Sequence, residues 1–419
     1  MNLIQTAILH YSAPPVVGGV EAVIYAHAAT MLEAGYPVSV IAGRGDKAAL
    51  PAGTEFVRIA EIDSQHPAII EASQELERGR VPDNFDDLVT RIAEKLAPLL
   101  NRFDNAIFHN LFTKHFNLPL TAALFRLLDQ GQVRHAIAWC HDFTWTSPNS
   151  RTKVFPGYPW DLLRTYHAEV DYVVVSQKRQ RELADLYGCP LEKVQVIFNG
   201  VDPNTLLGLS EPGQALVKQL DLLKSDLILL MPVRITQAKN IEYALRVVAA
   251  LKSQAITQKL VLTGPPDPHD DKSMEYYRGL KALRRQLQVE EETCFVFESG
   301  SDPHQPFTID ARVVGDLFRV SDIMFMPSHR EGFGMPVLEA GLSGIQVMST
   351  EVPAALEIGG EDIILFSTSD EPDQVASQIQ SWMGCSPIYR LRRRVRQNYT
   401  WQALFRHEIE LLLQAGKER

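Results

Sequence analysis

The chain reads as an α/β protein built from two doubly wound parallel sheets, and three features of the sequence carry that reading. Short, continuous apolar runs alternate with stretches whose apolar residues recur at helical spacing, the pattern of strands buried on both faces between helices. The alternation runs twice, and Asn199 to Pro203 (NGVDP) forms a polar turn between the halves. At 419 residues the chain exceeds what one core supports, so two domains are expected, meeting near residue 204.

In the first half, Leu3 to His10 reads as a strand, followed by a loop that ends in Gly18 and Gly19. Val20, Val23, Ile24, Ala28 and Met31 then recur as one face of a helix. A strand, a Gly-Gly turn and a helix start can bind an oxyanion or can simply be a tight turn, and GGVE lacks the full dinucleotide fingerprint. Pro37 to Ala42 and Glu55 to Ala60 read as strands, and Phe85 to Asn101 as an amphipathic helix. Ala106 to His109, His135 to Cys140, Tyr172 to Ser176 and Val194 to Phe198 continue the strand pattern. His141 directly follows one strand end, where it is either a packed or capping residue or a ligand contact. Arg151, Lys153 and Arg179 lie in the following loop and helix start, as solvated charges or as a site for a phosphate on an acceptor.

The second half repeats the scheme. Leu227 to Val233 is a strand, Arg234 to Asn240 a loop and Ile241 to Leu251 a helix, and Lys259 to Thr263 is the next strand, closed by Gly264 and Pro265. A helix is expected over Met274 to Leu287, a strand over Cys294 to Phe297 and a short helix over Val313 to Phe318. Ile323 to Met326 is a buried strand broken by Pro327, and a loop with Glu331, Gly332, Phe333 and Gly334 then enters a helix bearing Pro336 and Glu339. Two carboxylates beside a helix start suit a ligand with vicinal hydroxyls and a phosphate. Arg234 and Lys239 lie on the same edge and suit a diphosphate, neutralising charge on a leaving group. The five arginines between Arg390 and Arg396 read as a solvated helical face.

Composition narrows the function. With 45% apolar and 22% charged residues the chain is an ordinary globular protein, and its net charge of −10 argues against nucleic acid as a partner. The four cysteines are scattered, with neither metal spacing nor a disulfide framework, which fits a reducing cytoplasm. The start, MNLIQTAILHYS, reads as a strand rather than a leader, and no apolar run is long enough to span a membrane.

Taken together, these residues resemble the nucleotide-sugar glycosyltransferases of the GT-B fold, specifically the retaining enzymes of family 4. The resemblance rests on Arg234 with Lys239 five residues on, and on Glu331 to Glu339 around GFGMPVL, an E-x7-E signature. Gly18 and Gly19, the strand-ending His141 and the NGVD turn at Asn199 to Asp202 add to it. It implies two Rossmann-like domains facing across a cleft, 1–204 for the acceptor and 205–399 for the donor, with a C-terminal helix over 400–419 returning to the first. Arg234 and Lys239 would bind the donor diphosphate, Glu339 the ribose hydroxyls and Glu331 the donor hexose. Phe333 and Gly334 would contact hexose or phosphate through their amides, Gly18 and Gly19 would close over the diphosphate, and His141 would touch the sugar. No cofactor or metal is implied beyond the nucleotide sugar itself, and the chain has no Asp-x-Asp triplet. The family usually has Gly-x-Pro after the second glutamate, whereas this chain has Gly344, Ile345 and Gln346, whose extra amide could alter base or ribose contacts.

The resemblance is to a sucrose-phosphate-synthase type of member, joining UDP-glucose to fructose 6-phosphate, with Arg151, Lys153 and Arg179 on the acceptor phosphate. A transferase acting on a glycolipid or polysaccharide is the alternative, and a catalytically silent nucleotide-sugar-binding regulator is a third reading. A cytoplasmic monomer or homodimer is expected.

Overall fold

The computed structural model describes residues 4–267, 269, 271–300 and 307–416, so the expected strand start at Leu3 and residues 417–419 of the C-terminal stretch lie outside it. The chain divides into two compact units, Met1–Gly200 with Trp401–Arg419, and Val201–Thr400.

The first unit holds seven parallel strands, β1 (Thr6–Ser12), β2 (Val38–Arg44), β3 (Glu55–Arg58), β4 (Asn105–His109), β5 (Ala136–Cys140), β6 (Val170–Val174) and β7 (Val194–Val196), ordered β3-β2-β1-β4-β5-β6-β7. Alternate residues of each central strand enter opposite layers. Ala7, Leu9 and Tyr11 of β1 join the core under the helices Phe85–Leu100 and Leu118–Asp129, while Ile8 joins the core under the helix Gly19–Glu33. That second layer is completed by the C-terminal stretch. Trp401, Leu404, Phe405, Ile409 and Leu413 pack with Ile24, Ala28 and Met31, and Asn105 donates from Nδ2 to the Leu413 carbonyl at 3.2 Å.

The second unit holds six parallel strands, β8 (Leu227–Met231), β9 (Gln258–Leu262), β10 (Thr293–Phe295), β11 (Ile323–Met326), β12 (Gln346–Thr350) and β13 (Ile364–Phe366), ordered β10-β9-β8-β11-β12-β13. Its core is also two-layered, with Leu227, Leu229 and Met231 on one face of β8 and Ile228 and Leu230 on the other. The strand expected over Cys294 to Phe297 pairs only as far as Phe295, and Val296–Glu298 winds into a 3-10 turn. β13 has only three residues and too little apolar sequence to be read in isolation.

Both sheets share one topological property. The chain winds outward from β1 through β2 and β3 and then returns to β4 on the other side of β1; β8 and β11 repeat this. Loops leaving adjacent strands at those two places diverge, which opens a crevice at the carboxyl edge.

The run of arginines corrects the sequence reading. It lies on the helix Pro387–Asn398, but Arg396 is only 6% exposed, and its guanidinium meets both oxygens of Asp322 at 3.1 and 3.0 Å. Arg393 reaches Asp226 at 2.8 Å. Asp226 and Asp322 immediately precede β8 and β11, and the Asp322 carboxylate also accepts the Ile228 N–H at 2.9 Å. The helix is therefore clamped to the amino edge of the sheet by charge, because a carboxylate enclosed there requires a counter-ion.

Truncating one member of an enclosed pair leaves the other uncompensated. Arg396→Ala is expected to lower the unfolding free energy of the second unit by about 3–5 kcal/mol, whereas Arg394→Ala, at an exposed position, changes it by less than about 0.5 kcal/mol. Urea unfolding checks this, and equal effects of the two substitutions would refute the clamp.

Candidate functional site

At the crevice of the second unit, the loop after β8 meets the loop after β11. Val233 and Ile235 are buried and pin the first loop down, leaving Arg234 between them exposed. Gly264, at the end of β9, lets the loop lie close. A Cβ there would stand 2.5 Å from the Val233 carbonyl oxygen and 2.8 Å from the Arg234 Cα. Lys239 closes a single 3-10 turn, Gln237–Lys239, after which Asn240 adopts a left-handed conformation (φ 49°) to start the next helix.

Lys239 Nζ donates to both oxygens of Glu331, at 2.7 and 2.6 Å, across the divide between β8 and β11. Ser328 Oγ donates to Glu331 Oε1 at 2.6 Å, while the Ser328 carbonyl accepts from Thr350 Oγ1 at 2.6 Å. A backbone bond from His329 N to the Ala238 carbonyl, 2.9 Å, ties the two loops directly. The Glu331 side chain is 6% exposed and that of Lys239 20%, so the pair is held rigidly and mostly out of water. Arg234 has no ion-pair partner among the described residues and faces solvent.

The helix Met335–Ser343 starts at Gly334, whose φ of 82° and 2.8 Å Cβ distance to the Ala354 methyl exclude other residue types. Phe333 is 66% exposed beside this start, and Glu339 is exposed in the helix, on the side open to solvent. Gln346 is placed elsewhere. It opens β12 at the amino edge, where its side chain donates to the Val347 carbonyl and accepts from Trp382 Nε1 at 3.1 Å. The expectation that it adjusts base or ribose contacts is therefore corrected, since the helix has carried the chain to the opposite edge.

The crevice of the first unit lies between β1 and β4. Gly18 precedes the helix Gly19–Glu33, with the Glu21 carboxylate turned back against it and accepting from Ser12 Oγ at 2.5 Å; Gly19 stands in open space. His141 leaves β5 with its N–H donated to Asn110 Oδ1 at 2.7 Å, and its ring lies edge to edge with that of His109, nearly coplanar at 19° with centres 5.4 Å apart. His109 Nδ1 and His141 Nε2 are 3.1 Å apart, and His10 Nδ1 donates to the His109 carbonyl at 2.9 Å. His27 closes the cluster, edge-on to Trp139 and Trp401. Burial disfavours every charged ring. It holds His141 at about 4 and His27 at about 3, and lowers His10 and His109 as well.

The three expected acceptor cations are each engaged. Arg151 stacks on the Trp145 ring at 4.3 Å, Lys153 pairs with Glu77 at 3.0 Å, and Arg179 joins Asp142 and Glu182, each at 2.9 Å. Lys153 and Arg179 both act on a residue that sequence reading missed, Lys114. This lysine is 9% exposed, has no carboxylate within ion-pair distance among the described residues, and rests 4.8 Å from the Phe116 ring centre. Burial is the main cause of its lowered pKa; Asp142 opposes the shift, and Arg179 and Lys153 add to it. His109 and Asn110 were also passed over, although they end β4 as His141 and Asp142 follow β5, and that parallel was visible in the sequence.

Residues 17–205 match the family described as Glycosyltransferase Family 4, and residues 214–400 match Glycosyl transferases group 1. The chain is 27% identical over 270 residues to the mannosylglucosylglycerate synthase of Petrotoga mobilis, covering 60% of this chain and 60% of that one. It is 26% identical over 219 residues to a D-inositol 3-phosphate glycosyltransferase of Saccharomonospora viridis, covering 50% of this chain and 47% of the relative. The chain thus spans about half to three-fifths of the length of these relatives. A solved sucrose-phosphate synthase from Thermosynechococcus elongatus is 17% identical, with a TM-score of 0.38 over 99% of this chain and 100% of that one.

The neutral histidines link stability to pH. A ring whose folded pKa is depressed stabilises the fold fully above 6.5, and that contribution is lost as pH falls toward the folded value, because the unfolded chain takes the proton first. The first unit is expected to weaken steadily below pH 6.5, and His27→Phe, with nothing to protonate, to flatten that slope. Urea midpoints across the range check this; an unaltered slope in the variant would contradict it.

Proposed function

We propose that the chain, which carries a family 4 and a group 1 glycosyltransferase domain, moves a hexosyl group from a nucleotide sugar to a small sugar phosphate. The best specific reading is glucose from UDP-glucose onto fructose 6-phosphate, giving sucrose 6-phosphate. The observation that carries the donor half is the enclosed Lys239–Glu331 pair with an exposed Arg234 on the same loop, unpaired among the described residues.

A diphosphate set beside Arg234 and Lys239 meets two cations, one free and one oriented by a carboxylate. Glu331, already fixed by Lys239 and Ser328, has a geometry that does not adapt to its ligand, which suits recognition of hexose hydroxyls. Glu339 accepts from the ribose hydroxyls, and the amides around Phe333 and Gly334 face the sugar or its phosphate. As the bond from the anomeric carbon to the phosphate oxygen breaks, its electron pair stays on the nucleoside diphosphate, and Arg234 and Lys239 stabilise that charge. The acceptor hydroxyl forms the new bond on the same face and passes its proton to the departing phosphate oxygen, retaining the anomeric configuration. In this reading Arg234 and Lys239 supply the neutralisation that a divalent ion would otherwise give, and no metal is called for.

The acceptor half rests on Lys114. An ammonium enclosed without its own carboxylate is costly, and a phosphate arriving beside it, with Lys153 and Arg179 near, offsets that cost. This moves the acceptor site away from Arg151, whose guanidinium is committed to Trp145. That a relative is named for inositol 3-phosphate supports a phosphorylated acceptor.

Arg234→Ala is expected to lower kcat about 100- to 1,000-fold while leaving the unfolding midpoint unchanged, since the side chain is exposed. Lys114→Met is expected to raise KM for a phosphorylated acceptor about tenfold or more and to leave that for the unphosphorylated sugar unaltered. Steady-state kinetics with UDP-glucose, ADP-glucose and GDP-mannose against fructose and fructose 6-phosphate test both. Equal rates with the two acceptors would overturn the anion site, and transfer only to lipid or polysaccharide would replace it. Nucleotide-sugar binding without hydrolysis or transfer would leave a regulator.

A further inference from the structure

The histidine pair at the first crevice settles a question of chemistry that neither ring answers alone. His109 Nδ1 and His141 Nε2 stand 3.1 Å apart, and one hydrogen must lie between them. Both rings are neutral, so each carries a single proton, and two arrangements are open.

In the first, His109 Nδ1–H donates to His141 Nε2. His109 Nε2 is then a bare lone pair and His141 Nδ1 carries a proton. In the second, His141 Nε2–H donates to His109 Nδ1. The proton of His109 must then sit on Nε2, which is enclosed and has no hydrogen-bond partner. No neighbouring ring takes it either: Trp139 lies tilted by only 33° at 6.0 Å, His141 is nearly coplanar and sits on the Nδ1 side, and His27, 5.4 Å away at 46°, has neither nitrogen within hydrogen-bond reach. An enclosed N–H without an acceptor is rarer and costlier than an enclosed acceptor without a donor. The first arrangement wins.

His109 is itself held in place. Its carbonyl takes the His10 Nδ1–H at 2.9 Å, and the following Asn110, in a left-handed conformation (φ 58°), accepts the His141 and Asp142 N–H groups on its side chain. The two strand ends are thus registered by backbone as well as by ring. His141 Nδ1, by contrast, has no protein partner among the described residues and is not among the enclosed unpaired atoms, so it is the nitrogen left for a ligand.

We propose that His109 is a positioning residue that fixes the proton of His141 on Nδ1, so that His141 meets its ligand only as a neutral hydrogen-bond donor. The ligand atom it takes is an acceptor, a sugar hydroxyl oxygen or a phosphoryl oxygen, and His141 does not remove the proton of the attacking hydroxyl. The part of this that concerns a ligand rests on the reading of His141 as a sugar contact; the tautomer does not.

Neutron diffraction from crystals of the perdeuterated full chain at pH 7.5 reads the tautomer directly. Deuterium on Nδ1 of both His109 and His141, with none on His109 Nε2, is expected; deuterium on His141 Nε2 would overturn the proposal. Activity of the full chain separates positioning from packing. His109→Asn places an amide N–H near the original Nδ1 and is expected to keep kcat/KM near the parent value, while His109→Leu, which fills the space without a donor, lowers it about tenfold, the worth of one hydrogen bond. If Leu is tolerated better than Asn, His109 serves only packing. If the tautomer is as stated but both variants are fully active, the ligand contact of His141 is the part that fails.

Discussion

Parallel strand pairing is the constraint on which this molecule depends. Every strand in each sheet ends on the same edge, so each connection must cross back over a face, and helices fill both faces. Winding first one way and then the other from β1 and from β8 leaves one place in each sheet where neighbouring loops part. The residues with chemistry collect there: Arg234, Lys239 and Glu331 in one unit, and His10, His109 and His141 in the other.

The two edges of the second sheet treat buried charge differently. At the amino edge, Asp226 and Asp322 are saturated by Arg393, Arg396 and backbone amides, and the result is adhesion between a helix and strand ends. At the carboxyl edge the Lys239–Glu331 pair joins two loops and leaves Arg234 exposed, without an ion-pair partner among the described residues, so the same kind of bond orients a site rather than closing one. In the first unit the solution is neutrality. Four histidines lie together because none is charged, and a charge on one would be disfavoured by burial and by its neighbours. Lys114 stands out against this pattern, as an enclosed cation without an enclosed counter-ion beside it among the described residues.

Much of this was legible in the sequence. The apolar runs of β4, β5, β8 and β11 and the helical faces of Gly19–Glu33 and Ile241–Ser253 follow from periodicity, since strands covered on both faces must be apolar throughout. Arg234, Lys239 and Glu331 could be placed together because each follows a strand and strands of a parallel sheet end on one edge. Arg396 could not be separated from Arg390 or Arg394 in the same way. Their local sequence is alike, and only Asp322, from another element, distinguishes them. Gln346 was misplaced for a related reason, because a substitution within a motif says nothing about which edge the chain has reached.

By itself the sequence determined the class of fold, the two-part division and the chemical types at the strand ends, because these depend on local periodicity and on residues close together in the chain. Strand order, the Lys239–Glu331 pair, the ring-to-ring contact of His109 with His141 and the enclosure of Lys114 belong to the tertiary structure alone. Each joins segments that lie far apart in the chain, and whether a charge or a ring nitrogen has a partner depends on what packing places within about 3 Å of it.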